Sequence, residues 1–200
     1  MRRARSSYHD PTTKGDSRWA SLDGVIEDPG GAGDFKHAGW SFEISRGDEG
    51  DKFKLDETFA SDALLLGRVT YEGFAEAWPS MDGEFADKFN TMPKYVVSST
   101  LTEPEWNNST VLKGDIAAEV EKLKQEHDGD IVVHGSAQLV QYLIDHDLVD
   151  ELRLMVYPVV LGTGKRLFGE TRDKKTLQLA DSKVVGDGVI ILTYVRPSDS

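Results

Sequence analysis

Cysteine is absent from the 200 residues, which excludes a disulfide framework, a thiolate nucleophile and a cysteine-ligated zinc. Long apolar runs are missing as well: no stretch approaches the roughly 18 to 20 residues that a bilayer-crossing helix needs. The N-terminal MRRARSSYHDPTTKGDSRW is basic but lacks the apolar centre of a signal peptide. A cytoplasmic protein with no membrane partner is therefore expected, and the overlapping sequons at Asn107 and Asn108 have no role there. Positive charge is scarce: 23 Lys and Arg stand against 35 Asp and Glu, for a net charge of −12. Such a surface repels a phosphate backbone, so nucleic acid is excluded as a partner. His37, His127 and His146 show no metal-ligand spacing, and no metal site is expected. Gly162-Thr163-Gly164-Lys165 is half a phosphate loop without the Walker spacing, and no Gly-x-Ser-x-Gly elbow occurs, which removes ATPase and common hydrolase readings.

What is present suits one domain. A hydrophobic content of 38% with 9% aromatics can fill a single core at this length. Residues 1–18 are polar and aperiodic and read as a flexible tail, with the ordered domain spanning 19–197. The segment ASLDGVIEDPGGAGDF carries turn signals, and a loop should run to about Gly39. Asp48 to Ala60 suggests an amphipathic helix with Phe53, Leu55, Phe59 and Ala60 on its apolar face. Ala63-Leu64-Leu65-Leu66 reads as a strand covered on both faces, followed by a helix over 70–77. Further strands are expected at 94–99, 110–112 and 130–136, with helices from the Asp115 cap to Glu126 and over 137–145. After Asp150 the pattern returns to strand, and Gly186-Asp187-Gly188 marks a hairpin turn. Strands alternating with helices and then a hairpin mean an α/β fold whose sheet is mainly parallel with an antiparallel edge.

Three strands end alike: Leu66 into Gly67-Arg68-Val69-Thr70, Val97 into Ser98-Ser99-Thr100, and Val133 into His134-Gly135-Ser136. In an open parallel sheet ligands bind beyond the carboxyl ends of the strands, where helix N-termini offer unpaired N–H groups to a phosphate. Gly67, Arg68 and Thr70 thus read as one lip of a nucleotide-phosphate site. Each terminus taken singly is also compatible with an ordinary turn, cap or solvated charge.

The segments SLDGVIEDPGG, ALLLGRVTYEGFAEAWP, KYVVSSTL and VVHGSAQLVQYLIDHDLVDELRLMVYPVVLGTGKRLF together resemble the dihydrofolate reductase-like family that includes the RibD C-terminal reductase domain of riboflavin biosynthesis. The resemblance covers about residues 20 to 195. It implies a three-layer α/β/α reductase that uses NADPH to deliver hydride to a C=N or C=C bond of a small heterocycle, of pteridine or riboflavin-precursor type, and a homodimer. The precursor reduced by that type is 5-amino-6-(5-phosphoribosylamino)uracil. By the same resemblance, Gly67, Arg68 and Thr70 meet the cofactor's phosphates, and Ser98, Ser99 and Thr100 hold the ribose 2′-phosphate. His134, Gly135, Ser136, Ala137 and Gln138 form the turn over the pyrophosphate, with His134 standing where relatives often have the first of two glycines. Leu22, Asp23, Gly24 and Ile26 match the loop over the nicotinamide. Trp40, Phe53, Pro158, Leu161, Gly162 and Gly164 fall on the substrate side, with Lys165 and Arg166 as anion contacts.

The proton donor stays open. Asp48, Glu49 and Asp51 follow Trp40 at the start of the expected helix; spacing points to Glu49, although the three acids also suit simple capping. His134 is another candidate donor. One departure from the family stands out: where relatives have an apolar central strand, this chain reads KGDSRWA, and a weakened or unusual first strand is expected. The alternative to an enzyme is a non-catalytic nucleotide-binding or dimeric structural protein on the same fold.

Overall fold

The computed structural model describes residues 15–31 and 33–197. The first strand, β1 (Gly15–Ser21), starts four residues ahead of Trp19, inside the segment read as a tail, while residues 1–14 lie outside the described part. A loop and a short 3-10 turn at Trp40–Glu43 lead to α1 (Gly47–Ala60). The chain continues through β2 (Ser61–Gly67), α2 (Arg68–Ala77), α3 (Glu84–Thr91), β3 (Lys94–Val97) and β4 (Ser109–Leu112). It then forms α4 (Ile116–Glu126), β5 (Asp130–Val132), α5 (Ala137–Asp145), β6 (Glu151–Tyr157) and the hairpin β7 (Gln178–Val185) with β8 (Val189–Val195).

The strands form two four-stranded sheets, β4-β3-β2-β5 and β1-β6-β8-β7. The first is wholly parallel; in the second β1 and β6 are parallel and β8 and β7 run antiparallel to their neighbours. The sheets adjoin where β5 meets β1. The first strand, expected to be weak or unusual, pairs with β6 along all seven residues, while it and β5 belong to separate ladders. Two polar contacts cross the seam. Arg18 Nη2 donates to the Gly135 carbonyl at 3.2 Å, and Arg153 Nη2 of β6 meets Asp130 Oδ2 of β5 at 3.0 Å.

The composition of β2 follows from its position. Ala63 and Leu65 enter a core with α4 and α5, whereas Leu64 and Leu66 enter a second core with Tyr71, Phe89 and Trp106. Period-two alternation with both faces covered requires an unbroken apolar run. A third core gathers Trp40, Met155, Tyr157, Val185, Val189 and Ile191 under α1 and its entry loop.

Helix α1 corrects the sequence expectation. Its buried face carries Gly50, Lys54, Glu57 and Thr58, while Phe59 is 48% exposed and Ala60 faces solvent. Lys54 Nζ pairs with Glu57 Oε2, and Arg153 reaches Glu57 Oε1 at 3.4 Å as well as Asp130 and Glu151. A charge satisfied by tertiary partners can occupy a buried helix face that hydrophobic periodicity alone assigns to apolar residues. The strand expected to run to Ser136 stops at Val132 because the chain turns toward α5, and α3, with Phe85 and Phe89 at helical spacing, was not anticipated.

Candidate active site

The ends of β2, β3 and β5 share one rim. Gly67 is the ladder partner of Val97, which puts Ser98 beside Arg68, and the Leu64–Val132 pairing carried three residues on sets Gly67 level with Gly135. The two glycine turns touch. A Cβ on Gly67 would lie 2.5 Å from Ser136 Cβ, and one on Gly135 would collide with the Thr70 side chain. Both positions need glycine because each turn fills the space over the other's backbone.

No side chain caps the first turn of α2, whose N-cap is Gly67, so its leading N–H groups are available to an anion at the positive end of the helix dipole. The α5 turn is built differently. Ser136 Oγ accepts from Leu139 N at 3.3 Å, and Ser136 itself sits at φ 73. Ser136 is thus the positive-φ residue of this turn, and a serine held there carries strain of order 1 kcal/mol or more. At the end of β3, Ser98 Oγ accepts from Thr100 N and Leu101 N at 3.1 and 2.9 Å. Ser99, Thr100 and Gln138 are exposed, and Arg68 Nη1 donates to both oxygens of Glu72 at 2.8 Å. Gly67, Arg68, Thr70, Ser98, Ser99, Thr100 and the run His134 to Gln138 are thus brought to one edge.

The model of the RibD C-terminal domain family matches residues 18–191 of the chain. The chain belongs to this family. The uncharacterized protein YwjB of Bacillus subtilis (strain 168) is 33% identical over 176 residues, covering 88% of this chain and 93% of its own. A putative riboflavin biosynthesis protein from Shewanella sp. PV-4 superposes with a TM-score of 0.76 at 23% identity, covering 93% of this chain and 99% of that one. Dihydrofolate reductase from Enterococcus faecalis, solved with NADP(H), has a TM-score of 0.56 at 15% identity, with 94% and 98% coverage. The fold of this RibD C-terminal domain is dihydrofolate reductase-like, and its family is of reductase type.

Across the seam, the loop after β1 is zipped to the loop after β6. Leu22 N donates to Val159 O at 2.8 Å, Ile26 N to Lys165 O at 2.8 Å and Leu167 N to Gly24 O at 2.9 Å. Asp23 accepts from Leu161 N and Gly162 N at 3.1 and 2.9 Å and faces Arg166. The Ser21 hydroxyl, then the Leu161 and Gly162 N–H groups, hold its carboxyl down at about 2. Lys165 holds Glu27 below the usual carboxylate range. Gly164, at φ 118, lies where a Cβ would press on Val25 and Phe35. Leu22, Asp23, Gly24 and Ile26 therefore form one unit with Pro158, Leu161, Gly162 and Gly164.

Trp40 is buried: its Nε1 donates to Glu27 O at 2.9 Å and its ring stands edge-on to Tyr157 at 5.4 Å. Trp19 lies 6.3 Å from Tyr157, Arg46 stacks over Trp19 at 4.8 Å, and Arg46 Nε meets Asp51 Oδ1 at 2.5 Å. Of the three acids, Asp51 adjoins this aromatic group, Glu49 pairs with Lys183 of β7 at 3.0 Å, and Asp48 is exposed. Phe53 is half-buried against the same core. His134 sits over Phe89 at 5.5 Å, and its charge acts on Glu57. Burial opposes the charge of Glu57, yet Lys54, His134 and Arg153 outweigh it and hold the carboxyl below its ordinary range.

Sequence reasoning missed Arg18, Trp19, Arg46, Lys54, Glu57, Arg153 and Tyr157. The available signal was a charge inside a strand pattern, as for Arg153 in ELRLMVY; Trp19 and Tyr157 offered none. No three metal-ligating side chains converge, and no helix is long and apolar enough to cross a membrane, among the described residues.

Proposed function

We propose that the chain is an NADPH-dependent reductase that passes hydride to a C=N or C=C bond of a small heterocycle of pteridine or riboflavin-precursor type. The interlocked turns carry this reading. Gly67 and Gly135 bring two helix starts together beside a hydroxyl-lined strand end, an arrangement suited to an extended dinucleotide phosphate. The residues fit the cofactor: the N–H groups opening α2 and α5 would hold the pyrophosphate. Arg68, Ser98 and Thr100 would receive a 2′-phosphate, which favours NADPH over NADH. The cofactor supplies the hydride.

The loop pair clamped by Asp23 closes the nicotinamide end and sheds water there. Trp19 and Arg46 wall the acceptor above the buried Tyr157. Asp51, held by Arg46, is the acid whose position best suits proton delivery, ahead of Asp48 and Glu49. Fluorescence titration with NADPH and NADH tests the cofactor claim, and no binding of either removes it. Loss of reduced-nicotinamide absorbance over a panel of pterins and ribityl-pyrimidines tests catalysis; binding without turnover on any of them establishes the non-catalytic alternative.

We also propose a cytoplasmic homodimer. Leu179, Val184 and Ile190 remain exposed on a face of β7 and β8 that continues through half-buried Leu192, Tyr194 and Val156. None of these six positions carries charge in a chain with 29% charged residues, which suits a self-complementary contact.

A further inference from the structure

We propose that Arg18 is a positioning residue for the cofactor's pyrophosphate, a role that rests on the reductase reading above. Arg18 occupies the middle of β1, is only 5% exposed, and donates through Nη2 to the Gly135 carbonyl across the seam at 3.2 Å. The described residues contain no cis peptide bond. In a trans peptide the C=O and the following N–H point in opposite directions. With the Gly135 carbonyl turned toward β1, the Ser136 N–H turns toward β2, where Gly67 and the uncapped start of α2 lie.

Arg18 therefore fixes which way a donor faces in the space between the two turns. The same grip accounts for Ser136. A serine at φ 73 persists only where its surroundings over-determine it. Three contacts do so here: Thr70 blocks the Gly135 Cα, Gly67 abuts the Ser136 side chain, and Arg18 holds the carbonyl between them. The charge that departs from the family's apolar first strand thus gains a purpose at the rim rather than weakening the sheet. In a protein of net charge −12 it also supplies a buried cation beside the anion site.

The test compares wild type with R18M by calorimetric titration with NADP+ and with inorganic pyrophosphate. It also compares turnover with NADPH against turnover with 1-benzyl-1,4-dihydronicotinamide, a hydride donor that has no pyrophosphate. R18M is expected to bind NADP+ and pyrophosphate at least about tenfold more weakly, with a raised KM for NADPH and unchanged rates with the truncated donor. S136G, which takes the left-handed conformation without strain, is expected to restore much of the NADP+ affinity in R18M.

Wild-type affinity in R18M, or equal loss with both donors, overturns the proposal and leaves the reductase reading standing. Wild type that binds neither nucleotide removes the reductase reading and this proposal with it. Should R18M fail to melt cooperatively, R18Q, polar and too short to reach the carbonyl, is judged by the same criteria. If that also fails, the Ser136 amide resonance of wild type must shift on adding pyrophosphate, and an unmoved resonance overturns the proposal.

Discussion

Replacing Arg153 with methionine removes the cation on which three carboxylates converge. Arg153 contacts Glu57 Oε1 at 3.4 Å, Asp130 Oδ2 at 3.0 Å and Glu151 Oε1, and these three acids are all largely buried. Methionine keeps much of the aliphatic volume, so the loss is electrostatic: Lys54 still faces Glu57, but Asp130 and Glu151 lose their counter-charge. Removing one partner of a buried pair costs about 3–5 kcal/mol, a large share of the roughly 5–15 kcal/mol that stabilises a domain. With a urea slope of about 2 kcal/mol per molar, the midpoint should fall by about 1.5–2.5 M. The sign of the pH dependence follows from Asp130. Burial already raises its carboxyl above 3.8 despite Arg153, and losing Arg153 raises it further. A group whose folded pKa is raised favours the fold below its unfolded value, and that contribution is lost as pH rises through the folded value. The penalty of R153M should therefore be larger near pH 7.5 than near pH 5. Urea melts followed by tryptophan fluorescence at both pH values measure it, and D130N in the R153M background should recover part of the loss. Equal loss at both pH values would refute the charge argument and leave only the packing of the aliphatic stem.

Three other outcomes follow from the site. G135A forces a methyl into the Thr70 side chain and should cost about 1–3 kcal/mol by overpacking while abolishing NADP+ binding, read by thermal melts and titration. D23N leaves the loop pair without its anionic acceptor. Because the Asp23 carboxyl lies at about 2, below its ordinary 3.8, the wild-type clamp is intact above about pH 4 and is lost as pH falls through about 2. Amide exchange over 158–167 should rise in D23N at neutral pH, and unchanged protection there would show that the clamp does not depend on the charge. I190E places a carboxylate on the uncharged hairpin face and should convert a dimer to monomer by light scattering without lowering the melting temperature; a dimer that persists assigns the contact elsewhere.

The parts of the fold that sequence made legible are those fixed by local rules. Ala63 to Leu66 is apolar throughout because both faces of β2 are covered, and that pattern is visible without coordinates. The Asp115 cap is local too, with Oδ1 accepting from Ala118 N at 3.2 Å. Helix α1 was legible in extent but not in facing, since the burial of Lys54 and Glu57 depends on Arg153, about a hundred residues away. The rim glycines were legible as strand-to-helix turns, but the contact of Gly135 with Thr70 arises only from the register of β2 and β5. Trp40 reads in sequence as a substrate-side residue, yet its ring is core, packed edge-on against the equally buried Tyr157; Trp19, beside them, looks like an ordinary strand residue in sequence.

The seam between β5 and β1 explains why so many of the missed residues are charged. In open α/β sheets the crevice for a ligand opens where neighbouring strands diverge in connection, beyond their carboxyl ends. Here the chain passes from β1 to β2 on the far side of β5, so β5 and β1 are joined neither by a short connection nor by a shared ladder. Backbone groups along such a line need partners other than a neighbouring strand, and long side chains can reach across it where short apolar ones cannot. Arg18 does so near the carboxyl end, on Gly135, and Arg153 near the amino end, on Asp130. On this arrangement the rim of Gly67, Ser98 and Gly135 lies at the end of one sheet, and Trp19, with Arg46 stacked over it, belongs to the other. On the reading proposed above, contacts across the seam set how the rim lies against the Trp19 side, so R153M should lower turnover with NADPH although Arg153 touches no residue of the rim.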